Sequence, residues 1–105
     1  MLNVIVICTG NSCRSLLGEA LFNHLGTGRI QAFSAGSHPL GRLNAGAVAT
    51  LVRHGISVDG YKSQSWDEFE HQPMDIVITV CDNAAGETCP VYLNNAARVH
   101  WGLVD

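Results

Sequence analysis

Basic charge is scarce in this sequence, with six Lys and Arg against nine Asp and Glu and a formal net charge of −3. Scattered singly, those six offer no basic stripe for a phosphodiester backbone, which argues against nucleic acid as a partner. Long apolar runs are missing too. No stretch approaches the roughly 18 residues that a membrane helix needs, so no membrane partner is expected. The segment Met1 to Ile7 has neither a basic n-region nor a small-residue cleavage site, and it leads straight into a glycine turn, so it does not read as a signal peptide. The expectation is a soluble, cytoplasmic protein. Internal repeats, low-complexity tracts and linker-like shifts in composition are also lacking. At 105 residues the chain is close to the commonest size of one domain and too short for two well-buried cores. One domain spanning residues 1–105 follows.

Cysteine is present four times, as Cys8, Cys13, Cys81 and Cys89. In a reducing compartment such thiols point to catalysis or metal rather than to structural staples. The intervals of four and seven residues within the two pairs are unlike the tight pairs of zinc ribbons, so a four-cysteine zinc site is the weaker reading.

Leu2-Asn3-Val4-Ile5-Val6-Ile7 is apolar and β-branched nearly throughout, as expected of a strand covered on both faces. Cys8 to Ser12 breaks it with turn formers. From about Cys13 a helix is expected, with Leu17, Ala20, Leu21 and Leu25 on one face and Gly26 as its stop. A second strand follows at Ile30 to Ser34. The next helix is capped by Asn44, carries Ala45, Val48, Leu51 and Val52 on one face, and ends at Gly55. One or two helical turns are expected at Trp66 to Glu70, with Trp66 and Phe69 anchoring that loop to the core. Strands at Ile76 to Val80 and Ala97 to Trp101 complete the pattern, with loop between Val91 and Asn95. Strands alternating with helices imply βαβ crossovers and an open α/β fold, a mostly parallel four-stranded sheet flanked by helices.

The chemistry concentrates in Cys8-Thr9-Gly10-Asn11-Ser12-Cys13-Arg14-Ser15. A cysteine at the carboxyl end of a buried strand and an arginine at the start of a helix leave five residues to wrap around one tetrahedral anion. Inward backbone N–H groups of Thr9, Gly10, Asn11, Ser12 and Cys13, the partial positive charge of the helix N-terminus and the Arg14 fork would hold a dianionic oxyanion. The same field would keep the Cys8 thiol well below the roughly 8.5 of a free cysteine, with the Ser15 hydroxyl donating to its sulfur. The competing reading makes Cys8 a buried strand-end residue and Arg14 a solvated one. The Gly-Lys-Ser/Thr ending of a nucleotide-binding loop is missing.

Cys8 through Ser15 resembles the signature of the low-molecular-weight protein tyrosine phosphatase superfamily, whose fold is flavodoxin-like. The wording of that loop, together with Phe33-Ser34-Ala35-Gly36, Lys62-Ser63-Gln64-Ser65-Trp66-Asp67, Val80-Cys81 through Cys89-Pro90 and His100-Trp101-Gly102, is similar to thioredoxin-coupled arsenate reductases. That resemblance implies a course in which Cys8 forms a thiol-arsenic adduct with arsenate. Cys81 then attacks Cys8 with release of arsenite, Cys89 resolves the disulfide to Cys81–Cys89, and thioredoxin reduces it. Arg14 and the loop amides hold the arsenate or phosphate oxyanion. Eight residues of regular helix would separate the Cα atoms of Cys81 and Cys89 by about 12 Å, against the roughly 4.4 to 6.8 Å of a disulfide, so a segment that bends is expected there. Cys13 is a structural or bystander thiol on this reading.

The superfamily's general acid matches Asp105, which is also the last residue. The resemblance implies a further loop and a C-terminal helix, so a C-terminally truncated domain with an exposed apolar patch is expected. Glu19, Ser34 and Asn11 match positions that some family members use around a structural potassium ion, with Ser65 or Asp67 as the remaining ligand. Ordinary hydrogen bonding among them is the alternative, and no other cofactor is implied. His24, His54 and His71 are expected on the solvated surface without acidic neighbours, and His100 and Trp101 in packing roles. The functions in competition are arsenate reduction, phosphatase action on phosphotyrosine or small phosphate esters, and oxyanion binding without turnover.

Overall fold

The computed structural model describes residues 1–11, 13–80 and 96–101. Among them, four strands, β1 (Leu2–Ile7), β2 (Ile30–Ala35), β3 (Ile76–Thr79) and β4 (Ala97–His100), form one sheet in the order β2-β1-β3-β4. Each of these pairings is parallel, with Leu2 opposite Ile30, Val4 opposite Ile76 and Ile76 opposite Ala97. Helix α1 (Arg14–Leu25) links β1 to β2; α2 (Ala45–Arg53) and a single 3₁₀ turn, Trp66–Phe69, lie between β2 and β3.

β1 is central because its sequence has no polar face to give to water, and Val4 to Ile7 are all buried. One side of the sheet packs Val4, Val6, Ile78 and Val80 with Phe22 of α1. The other packs Ile5, Ile7, Ala35 and Val77 against Trp66, Phe69 and Met74, so Trp66 and Phe69 anchor their loop as expected. Phe33 and Phe69 meet with ring centroids 5.4 Å apart. The turn carrying them opens with a capping box, Ser65 accepting from the Asp67 N–H while Glu68 accepts from the Ser65 N–H. Asn44 caps α2 through the Ala47 N–H at 3.0 Å.

Both helices turn differently from their apolar spacing. α1 buries Ser15, Leu16, Glu19 and Ala20, whereas Leu21 and Leu25 are exposed, Leu25 by 73%. α2 buries Ala47 and Leu51 against Leu16 and Ala20, while Val52 faces water. In α1 the polar pair is drawn inward by hydrogen bonds described below. The apolar stripe of Leu17, Leu21 and Leu25 instead lines a cavity of about 730 Å³, shared with Ile78, Val80 and Trp101. Trp101 stacks on Phe22 at 6.2 Å between centroids. No helix among the described residues is long and apolar enough to cross a membrane.

The chain leaves β1 for β2 on one side and later places β3 on the other. That makes the carboxyl end of β1 the topological switch point, the place where open parallel sheets receive ligands.

Candidate oxyanion site at the end of the first strand

Cys8 is the first residue beyond β1, and its N–H makes one last bond to the Ala35 carbonyl, 3.2 Å. Its side chain is half-buried between the two cores of the sheet. The two residues that follow turn their carbonyls outward. Thr9 O accepts from the His38 N–H at 3.0 Å, and Gly10 O accepts from the Leu40 N–H at 2.9 Å and from the Ser63 hydroxyl at 3.1 Å. No peptide bond among the described residues is cis, and in a trans peptide the N–H points opposite to the C=O. The N–H groups of Gly10 and Asn11 are therefore directed to the inside of the loop, where an anion would lie.

Gly36, just past β2, makes that closeness feasible. A Cβ there would stand 2.4 Å from Thr9 O and 2.9 Å from Cys8 O. Its backbone also pairs with the next wall, Gly36 N–H to Gln64 O at 2.9 Å and Trp66 N–H to Gly36 O at 3.1 Å.

Asn11 holds the loop from beneath. It is 1% exposed, with φ 46° in the left-handed region, where Asn is tolerated better than most residues. Its amide group donates to Ser15 Oγ and to Ser34 Oγ, both at 2.9 Å. Its carbonyl oxygen accepts from the Gln64 N–H at 2.7 Å. Ser34 in turn donates to Glu19 Oε1 at 2.6 Å. Burial pushes the Glu19 carboxyl up to about 7, with the Ser34 hydroxyl and backbone bonds pulling the other way. These side chains engage one another, and no buried side-chain nitrogen or oxygen among the described residues lacks a partner. Ser65 is turned to its capping role and Asp67 is exposed. The residues thus satisfy one another by ordinary hydrogen bonding in this structure.

Cys13 stands at the N-cap of α1 without a side-chain capping bond, and no acidic residue occupies the first turn. The positive end of the helix dipole is left facing the loop. Arg14 opens the helix and reaches from the loop to the end of β3, Nη1 to Val80 O at 3.4 Å. Val80 is itself tied to β1 by its N–H to Ile7 O, 3.0 Å, so the residue preceding Cys81 lies beside the one preceding Cys8. Ser12, Cys81, Cys89 and Asp105 fall outside the described residues. The structure thus brings together Cys8, Thr9, Gly10, Asn11, Cys13, Arg14 and Ser15.

Sequence reasoning missed the outer wall, His38, Leu40 and Ser63, and the way Gln64 carries Asn11. Apart from Gly36 these contacts use backbone groups or a lone hydroxyl, which leave no mark in composition. His71 corrects another expectation, since its Nε2 lies 3.3 Å from Oε1 of Glu70, though both are exposed. His54 bonds the Thr50 carbonyl in the last turn of α2. Beyond packing, His100 Nδ1 meets Thr79 Oγ1 at 2.8 Å across the carboxyl ends of β3 and β4.

Known proteins resemble this chain in sequence and fold. An arsenate reductase of Halalkalibacterium halodurans is 35% identical over 102 residues, 97% of this chain and 72% of its own length. The solved structure of an arsenate reductase in the phosphate binding state superposes with a TM-score of 0.86 at 29% identity, covering 100% of this chain and 79% of that one. A thioredoxin-dependent arsenate reductase of Corynebacterium glutamicum gives 0.83 at 25% identity, covering 98% of this chain and half of the other. The sequence profile described as low molecular weight phosphotyrosine protein phosphatase matches residues 3–103. That match runs through every element from β1 to β4 and through the whole anion loop, and the chain belongs to the low molecular weight phosphotyrosine protein phosphatase family.

Proposed function

We propose that this protein reduces arsenate to arsenite in the cytoplasm, with thioredoxin as the electron donor. The observation that carries the reading is the pair of inward N–H groups beside Cys8, at the uncapped amino end of α1. The thiolate of Cys8 attacks arsenic and a hydroxyl leaves, protonated by Asp105, giving a Cys8 sulfur-arsenic bond. Cys81 attacks the Cys8 sulfur. As the disulfide forms, the electron pair of the sulfur-arsenic bond stays on arsenic, which departs as arsenite. Cys89 then displaces Cys8 to give Cys81–Cys89, and the thioredoxin dithiol reduces that disulfide. Ser15 contributes by donation, because Asn11 already fills an acceptor site of its hydroxyl and leaves its proton for the Cys8 thiolate.

The bond from Arg14 to Val80 supports this division of labour, since it couples the anion loop to the residue that precedes Cys81 in sequence. Relatives that are arsenate reductases, at 30 to 35% identity, support the substrate. The second reading, a phosphatase, is favoured by the family itself and needs Cys8, Arg14 and an acid but not Cys81. Arsenate-dependent NADPH oxidation with thioredoxin and thioredoxin reductase separates the two. The reductase reading expects turnover that disappears in Cys81→Ser. Hydrolysis of an aryl phosphate at equal rates in both proteins, with no arsenate turnover in either, would establish the phosphatase. Phosphate binding with neither activity would leave an oxyanion-binding domain.

A further inference from the structure

The Gly10–Asn11 peptide plane is held in a direction it would not choose by itself. Asn11 sits at φ 46°. Turning that plane over changes the preceding ψ and this φ by about half a turn each, which would carry Asn11 to about −130°, in the broad extended region open to every residue. The same movement would send the Gly10 carbonyl into the loop and take the Asn11 N–H out of it. Gly10 has no side chain to resist.

What opposes the turn lies outside the loop. Gly10 O accepts from Leu40 N–H and from Ser63 Oγ, and Ser63 Oγ also accepts from the Gly41 N–H at 3.1 Å. The hydroxyl therefore pins the strained plane to the wall formed by residues 38–41. Asn11 is fixed from the opposite side through its side chain, which constrains χ angles and position but does not orient its own N–H.

We propose that Ser63 is a positioning residue that locks the Gly10–Asn11 peptide with its N–H toward the bound oxyanion, so that its hydroxyl governs oxyanion affinity without touching the anion. This rests on the reading of residues 8–15 as an oxyanion loop. Removing the hydroxyl gives up one bond to the carbonyl that keeps the plane outward, and one hydrogen bond's net contribution corresponds to about a tenfold change.

Inorganic phosphate is the probe, titrated calorimetrically into the full chain and its Ser63→Ala and Ser63→Thr variants, with the ¹⁵N–¹H signal of the Asn11 amide followed in parallel. Ser63→Ala should weaken phosphate about tenfold and abolish the phosphate-induced shift of the Asn11 amide, while Ser63→Thr, which keeps a hydroxyl, restores both. A melting temperature that stays put in all three separates positioning from general packing. Equal affinity in Ser63→Ala and the parent chain would overturn the role of Ser63 and leave the oxyanion loop standing. Equal weakening in both variants, or failure of Ser63→Ala to fold, would make Ser63 a fold determinant and overturn the inference. A parent chain that does not bind phosphate removes the loop reading itself, and this proposal with it.

Discussion

Replacing Glu19 by glutamine tests the hydrogen-bonded chain beneath the anion loop, because glutamine keeps an oxygen for the Ser34 hydroxyl and gives up only the charge. Glu19 is 5% exposed, and burial pushes its carboxyl from 4.5 up to about 7. In the unfolded chain it ionises near 4.5; in the folded protein it keeps its proton until about pH 7. The folded state therefore binds more protons between those values, and the stability contributed by neutral Glu19 is complete below pH 4.5 and lost as pH rises through 7. From about pH 5 to 8 the loss comes to about 2 to 3 kcal/mol, and the curve flattens above about pH 8. The Glu19→Gln variant has nothing to titrate at this position. Urea unfolding at intervals between about pH 5 and 8 should show the parent chain losing that much relative to Glu19→Gln, with the steepest change below about pH 7. Two profiles parallel to within about 0.5 kcal/mol would mean that the carboxyl is ionised in the folded protein throughout, and the argument from burial would fail.

Two further substitutions probe what holds the loop in place. Gly36→Ala puts a Cβ 2.4 Å from Thr9 O, a backbone atom that cannot step aside, so a loss of about 2 to 4 kcal/mol in denaturant unfolding is expected together with weaker phosphate binding. Asn11→Ala removes three hydrogen bonds at a fully buried, left-handed position and leaves the Gln64 N–H and two hydroxyls without their partner. About 2 to 4 kcal/mol should be lost, with arsenate turnover falling more steeply than stability; a variant of unchanged affinity for phosphate would show that the loop does not depend on its floor.

The parts of the fold that sequence made visible are those where one segment suffices to specify the outcome. From Val4 to Ile7 β1 is an unbroken β-branched run, and a strand without a polar face has only the middle of a parallel sheet to occupy. The tight connection from Cys8 to Arg14 was legible because both of its ends are marked, Cys8 by the strand before it and Arg14 by the helix after it. What turns the loop's carbonyls outward was not legible. Ser63 is 53 positions from Gly10, and His38 and Leu40 contribute main-chain N–H groups that any residue but proline would supply. Nothing in the letters at 38 or 40 distinguishes them from ordinary loop, and Ser63, although part of the family-like Lys62 to Asp67 wording, carries no sign that its hydroxyl reaches Gly10.

α1 shows how a functional site misleads a reading by periodicity. Leu17, Leu21 and Leu25 form the more obvious apolar stripe, yet Ser15 and Glu19 are buried and Leu21 and Leu25 are not. A serine and a glutamate four residues apart would ordinarily face water. Here the loop ahead of the helix supplies Asn11, and β2 supplies Ser34, and together they satisfy Ser15 and Glu19 well enough to turn that face inward. The helix is thereby rotated so that its apolar stripe borders the cavity beside Ile78, Val80 and Trp101. Gly18, where a Cβ would approach Val6 to 3.1 Å, lets it lie close on β1 in that orientation. The burial of Ser15 and Glu19 thus follows from the hydrogen bonds that Asn11 and Ser34 make to them, and the leucines take the face that remains.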